Sequence, residues 1–249
     1  MGATAAAADP INGLWQGDVR TVRIETSPSV HRLADGQYSC TSCKPAQNVP
    51  ADGRFYSVKG HLKYDELSVT VLNPRSIRLV RRKAGKVVGE EASEVSADGQ
   101  HLAFVYRNFE STADVPSEEA GTKRRVAPQR EGEHLISGAW ITEQIASVSP
   151  ELLTSRFRVE GDVLHMSSPT GDGYSARLDG TETPMLALGG VETVSVRRLD
   201  VHTYEETVKR NGIVLGVTKM IIAPDGASMI VVWENKTQPG KTTYTAYRK

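Results

Sequence analysis

Residues 68–108, SVTVLNPRSIRLVRRKAGKVVGEEASEVSADGQHLAFVYRN, align without a gap on residues 195–235, SVRRLDVHTYEETVKRNGIVLGVTKMIIAPDGASMIVVWEN. Roughly ten of about 41 positions are identical, among them Leu72 with Leu199, Gly85 with Gly212, Gly89 with Gly216, Asp98-Gly99 with Asp225-Gly226 and Asn108 with Asn235. Self-similarity at a long fixed spacing marks a duplicated structural unit. The identities fall on turns and strand interiors, where a shared fold would keep them.

Working outward, the same spacing pairs Asp52-Gly53 with Asp179-Gly180, and a slightly different one pairs Gly13-Leu14-Trp15 with Gly138-Ala139-Trp140. Gly121 to Ala127 matches Gly240 to Ala246 if the first copy carries a longer loop rich in Glu, Ser and Pro. The units are therefore placed at residues 10–128 and 134–249. Pro128 to Glu133 is a polar linker, and residues 1–9 are expected to be a flexible N-terminus.

Within a unit the signal is strand after strand. Leu67 to Val71, Ile77 to Arg82, Val87 to Val95 and Leu102 to Phe109 are short β-branched or aromatic runs, separated by Asn73-Pro74, Ala84-Gly85 and Asp98-Gly99. In the second copy Asn211-Gly212 and Asp225-Gly226 are tight-hairpin signals. Only the segment around Ser149-Pro150-Glu151-Leu152-Leu153 has a helical start, long enough for one or two turns.

A meander of roughly eight or nine short strands must hide its edges, and closure into an up-and-down barrel does so most completely. The expected fold class is all-β, two tandem antiparallel β-meander units from an internal duplication. The Gly13-Leu14-Trp15 pattern, opening a meander that ends in Thr-x-x-x-Arg-like strands, resembles the lipocalin and fatty-acid-binding group, the calycins. That resemblance implies a barrel whose first-strand tryptophan plugs one end. Over nearly the whole chain, Tyr38 to Pro45, Tyr64 to Val69, Lys86 to Gly89 and Val95 to Gly99 look like a group of uncharacterised, exported bacterial β proteins. This second resemblance implies export and duplication and carries no activity.

Lys plus Arg equals Asp plus Glu at 30 each, so the net charge is zero and no global field draws the chain to nucleic acid or anionic lipid. The local clusters Arg81-Arg82-Lys83 and Lys123-Arg124-Arg125 are expected to be solvated surface. No run approaches the roughly 18 apolar residues of a spanning helix, so the chain is not expected to span a membrane. The Ala-rich start, Met1 to Pro10, resembles the small-residue end of a secretory signal. A periplasmic or secreted protein with a trimmed signal is expected.

Cys40 and Cys43 are the only two cysteines. A local disulfide is the simplest reading in an oxidising compartment, and it needs a turn or bulge there, because residues three apart on a regular strand face opposite ways. Free buried thiols, redox or metal chemistry and covalent haem attachment stay open beside it. Six histidines show no metal-ligand spacing, so no metal and no cofactor is expected. His202, Tyr204 and Glu206 alternate on one strand as either an acid–base patch or, by preference, a polar outer face. No nucleophile elbow, phosphate loop or dinucleotide fingerprint is present.

Tyr38, Cys40, Cys43, Lys44, His61 and Tyr64 stand in the first copy where the second has different chemistry. A cavity in a closed meander could use them, and the expectation that follows is a binding protein for a small apolar or amphipathic molecule, in a barrel or in the cleft between units. Trp15, Trp140 and Tyr38 are the candidate lining residues, with His61 and Tyr64 as polar anchors. A lyase, isomerase or cyclase acting on a hydrophobic substrate and a structural envelope-interaction module are the alternatives.

Overall fold

Alternation decides which side chains face inward. In strand His101–Asn108, Leu102 and Phe104 are buried while His101 and Ala103 are exposed. Strand Ser228–Asn235 repeats this with Met229 and Val231 buried and Ile230 exposed. Between strands Thr203–Arg210 and Ile213–Ile222, Asn211 and Gly212 take φ of 51° and 75°, as a tight hairpin turn requires. The computed structural model describes residues 9–110, 116–186, 192–237 and 239–249. Nearly all of the N-terminus expected to be flexible lies outside the described residues.

The strands form two nearly closed antiparallel barrels. The first runs, in neighbour order, Gln47–Pro50, Gln37–Cys40, Ser29–Ala34, Gly138–Val148, Ser117–Ala127, His101–Asn108, Lys86–Val95, Ser76–Lys83, Glu66–Asn73 and Asp52–Ser57. The second runs Gly173–Arg177, Val163–Ser167, Thr154–Glu160, Gly13–Gly17, Gly240–Arg248, Ser228–Asn235, Ile213–Ile222, Thr203–Arg210, Glu192–Arg198 and Asp179–Met185. Each is ten strands deep in this order rather than the eight or nine expected, because short polar segments such as Gln47–Pro50 also join the sheet. The helical signal becomes a single 3-10 turn, Pro150–Leu153.

The barrels do not coincide with the sequence units. Strand Gly13–Gly17 of the first unit pairs with Thr154–Glu160 and Gly240–Arg248 of the second. Strand Gly138–Val148 of the second unit pairs with Ser117–Ala127 and Ser29–Ala34 of the first. The cause is local. Gly138–Val148 follows Ser117–Ala127 in the chain and adds to it as the next meander strand, the usual fate of consecutive strands. The second barrel then takes its equivalent strand from the N-terminus. Between the barrels, strand Arg23–Thr26 also pairs with Gly240–Arg248, while Val19, Val22 and Ile24 pack against the first barrel's core. Arg210, paired with the buried Glu192, also donates to the Leu62 carbonyl of the first barrel at 3.5 Å.

Each exchanged strand carries the same plug. Trp15 and Trp140 are 1% exposed, and their indole N–H groups donate to the carbonyls of Ile11 at 2.7 Å and Ile136 at 2.9 Å. The Arg248 guanidinium lies 4.5 Å over the Trp15 ring, and that of Arg125 lies 4.0 Å over Trp140. Arg125 donates to the carbonyls of Gly99, Leu135 and Ser137 at 2.5, 2.7 and 2.7 Å. Arg248 makes the matching set to Gly226, Pro10 and Asn12. The glycine two residues before each tryptophan has φ of 135° or 120°. A Cβ on Gly13 would stand 2.8 Å from Arg248 Nη1, and one on Gly138 2.7 Å from Arg125 Nη1. Gly-x-Trp is thus the space an arginine needs to cover the indole.

This match corrects the alignment of the last strand. Arg124 sits opposite His101 and Tyr247 opposite Ser228. Since His101 and Ser228 are equivalent positions, Arg125 corresponds to Arg248, not to Tyr244.

Trp140→Ala is expected to cost about 3–5 kcal/mol, the usual range for emptying a buried aromatic site. Arg125→Lys keeps the charge but loses the fork over three carbonyls, and is expected to cost about 1–3 kcal/mol. Both should appear as lowered midpoints in denaturant unfolding at unchanged slope.

Candidate functional site

The first barrel is aliphatic toward the Trp140 end and polar toward the other. Strand Ser76–Lys83 carries Ile77 and Leu79 inward and then, in phase, Arg81; strand Lys86–Val95 carries Val95 and Ser93 inward and then Glu91. Tyr106 follows Leu102 and Phe104 on the same face of His101–Asn108. Successive hairpins therefore bring these polar side chains to one level, where they line a pocket of about 340 Å³. Its wall includes His31, Tyr64, Val88, Glu110, Lys123 and the Cys40–Cys43 pair.

Arg81 lines this pocket. Nη2 donates to Glu91 Oε2 at 3.0 Å, and the guanidinium lies 5.7 Å from the Tyr64 ring centre and 5.6 Å from that of Tyr106. Its Nη1 is buried without a hydrogen-bond partner. The expectation that Arg81-Arg82-Lys83 is solvated surface holds for the exposed Lys83 and is overturned for Arg81, whose side chain is only 18% exposed, because position 81 is in phase with the core residues Ile77 and Leu79. Arg82 lies 3.4 Å over the Phe55 ring. Lys123, from the other basic cluster, lines the pocket too, with Nζ 5.0 Å from the Phe104 ring centre.

The charges are fixed rather than poised. Burial opposes ionisation of Glu91, but Arg81 and then Lys123 outweigh it and bring the carboxyl down to about 2. Burial, with Lys123 adding to it, lowers His31 to about 4, so its ring is neutral over the physiological range. Burial pushes Tyr38, Tyr106, Glu110 and Glu119 up.

Of the residues singled out from sequence, Tyr64, Cys40 and Cys43 meet at this pocket. Cys40 and Cys43 are joined by a disulfide, and the turn this needs follows directly on strand Gln37–Cys40. Tyr38 is buried behind the wall, its hydroxyl 2.9 Å from His31 Nδ1. His61 stacks on Tyr64 with ring centres 4.6 Å apart, and Gln47 contacts both. Trp140 is at the far end beneath Arg125. Trp15 belongs to the other barrel, where it lines a separate cavity of about 140 Å³ with Phe157, Met220 and Tyr244.

That cavity also contains Glu206. The preferred reading of His202, Tyr204 and Glu206 as an outer polar face is overturned: Tyr204 is completely buried in the second barrel's core, and Glu206 Oε2 accepts from the buried Tyr174 hydroxyl at 2.6 Å. Arg81, Glu91, Tyr106 and Lys123 were not singled out by sequence. Their signal was a polar side chain in phase with a hydrophobic alternation.

Among the described residues, no cluster of three or more His, Cys, Asp and Glu could hold a metal ion, and no helix is long and apolar enough to cross a membrane. No protein-family model, curated protein or solved structure matches the chain.

Acidification is expected to destabilise the fold in two stages. His31 is held below its unfolded value near 6.5, so stability present above that pH falls as pH drops toward 4; Glu91, lowered to about 2, adds a loss from about pH 4 downward. Unfolding free energy against pH should lose the upper stage in His31→Gln. Arg81→Met should cost about 3–5 kcal/mol at neutral pH by stranding Glu91, with Glu91→Gln added to it restoring much of the loss.

Proposed function

We propose that the chain is an exported binding protein whose first barrel takes a small amphipathic molecule by its acidic group. The observation that carries this reading is Arg81, whose side chain lines a pocket of about 340 Å³ and whose buried Nη1 has no hydrogen-bond partner. A buried charged donor left unbonded is costly, and a ligand carboxylate would complete it. Lys63 and Lys123 add two cations at the same wall, against Glu91 and Glu110. Glu91 is already committed to Arg81 Nη2, and Glu110 is pushed toward its neutral form by burial.

Tyr64, Tyr106 and Val88 supply apolar surface for the rest of such a molecule. The volume is at the small end of the usual range of ligand pockets, about 300–1,000 Å³. With Glu91 ionised and His31 neutral across the physiological range, binding is favoured over proton transfer, which works best with a group near the working pH. The Trp–Arg plug supports the calycin-like reading of the fold. The Cys40–Cys43 disulfide supports a periplasmic or secreted setting, since such bonds persist in oxidising compartments.

Calorimetric titration with octanoate and phenylacetate, set against octanol and 2-phenylethanol, tests the reading. The carboxylates are expected to bind and the alcohols to bind at least tenfold more weakly. The Arg81→Met, Glu91→Gln pair is expected to weaken carboxylate binding by about a hundredfold, in line with losing one partner of a buried charged contact. Equal affinity for acid and alcohol, or affinity unchanged in the double variant, would overturn it.

A further inference from the structure

The two barrels share a backbone plan but not an interior. At the positions equivalent to Arg81, Glu91 and Lys123 the second barrel has Val208, Thr218 and Ala246, so the polar cluster of the first is absent. At the position equivalent to Leu79 it has Glu206. The interior charge has changed sign as well as place.

Glu206 projects into the cavity of about 140 Å³ from strand Thr203–Arg210. Its register neighbours are Val196 and Thr218, and its hydrogen-bond partner is the Tyr174 hydroxyl. Among the described residues no Lys, Arg or His forms an ion pair with it. The ionisable groups that interact with it are Tyr174 and Tyr244, neither of which supplies positive charge. Trp15, Phe157, Tyr244 and Met220 make up much of the remaining wall. Burial raises the Glu206 pKa, against the donation from Tyr174, as expected of a carboxyl lacking a cation.

We propose that this second-barrel cavity is a binding site for a small organic ammonium, with Glu206 as its counter-ion and the aromatic wall around its apolar part. An ammonium supplies the one element the site lacks, a positive charge beside the carboxyl. Aromatic faces attract cations, most strongly when both are out of water. The size limit follows from the volume, since an apolar cavity of about 150 Å³ holds one benzene. The ligand is therefore an amine whose apolar part is no larger than a benzene ring. This site stands apart from the Arg81 pocket and does not depend on it.

The test uses the full chain with its disulfide intact. Isobutylamine and cyclopentylamine are titrated calorimetrically against their neutral counterparts, isobutanol and cyclopentanol. Each amine is expected to bind at least tenfold more tightly than its alcohol. Glu206→Gln, which keeps a partner for Tyr174, is expected to remove that preference, whereas the Arg81→Met, Glu91→Gln pair leaves it in place. The amine–alcohol comparison on the unaltered chain decides the matter even if Glu206→Gln proves unstable. Equal binding of amine and alcohol, no binding of either amine, or an amine preference lost in the first-barrel pair but kept in Glu206→Gln would each overturn the proposal.

Discussion

Everything in this molecule depends on an arginine lying over a tryptophan at the closed end of each barrel. The indole of Trp15 or Trp140 fills the end of the barrel, and the guanidinium of Arg248 or Arg125 covers it and binds three backbone carbonyls. That contact joins the first strand of one repeat to the last strand of the other. In each barrel it holds the exchanged strand against a neighbour in the sheet. The two halves are interlocked by the strands that complete them, and Val19, Val22 and Ile24 reinforce the lock from the connecting segment.

A closed shell with a fixed base leaves the other end of each barrel free to diverge. The aliphatic layer nearest the plug is kept in both copies, as with Leu102 and Phe104 against Met229 and Val231. One level further along the strands the copies part: a cluster of Arg81, Glu91 and Lys123 in one, an isolated Glu206 among aromatic and thioether side chains in the other. Duplication followed by divergence of inward-facing polar positions is a direct route to two barrel interiors of different electrostatic character in one chain.

The fold class, the hairpins and the duplication were legible because they rest on local chemistry: period-two alternation, turn residues such as Asn211-Gly212, and identities carried on both. The pairing of strands across the repeats was not. Gly-x-Trp marks a strand that needs a covering arginine, but nothing local states which repeat supplies it. The candidate sites were half legible. Tyr64, Cys40 and Cys43 stood out as differences between copies and do meet at one pocket, while Arg81 was hidden inside a basic triplet and Glu206 inside an alternating polar strand. In each case phase relative to the core decided the side chain's direction, and a run of charges obscured that phase. The match of Gly121 to Ala127 with Gly240 to Ala246 failed because similar residue types there masked the register that the neighbouring strand imposes.

The exchange of first strands is tested most directly with two fragments, residues 29–148 and residues 10–128, each containing a single tryptophan. Their fluorescence is followed during denaturant unfolding. Fragment 29–148 holds all ten strands of the first barrel, so Trp140 is predicted to be shielded and to report one cooperative transition. Fragment 10–128 lacks the strand that completes that barrel, so Trp15 is predicted to be solvent-exposed and to show none. A cooperative transition with a shielded Trp15 in 10–128, alongside an unfolded 29–148, would contradict the account.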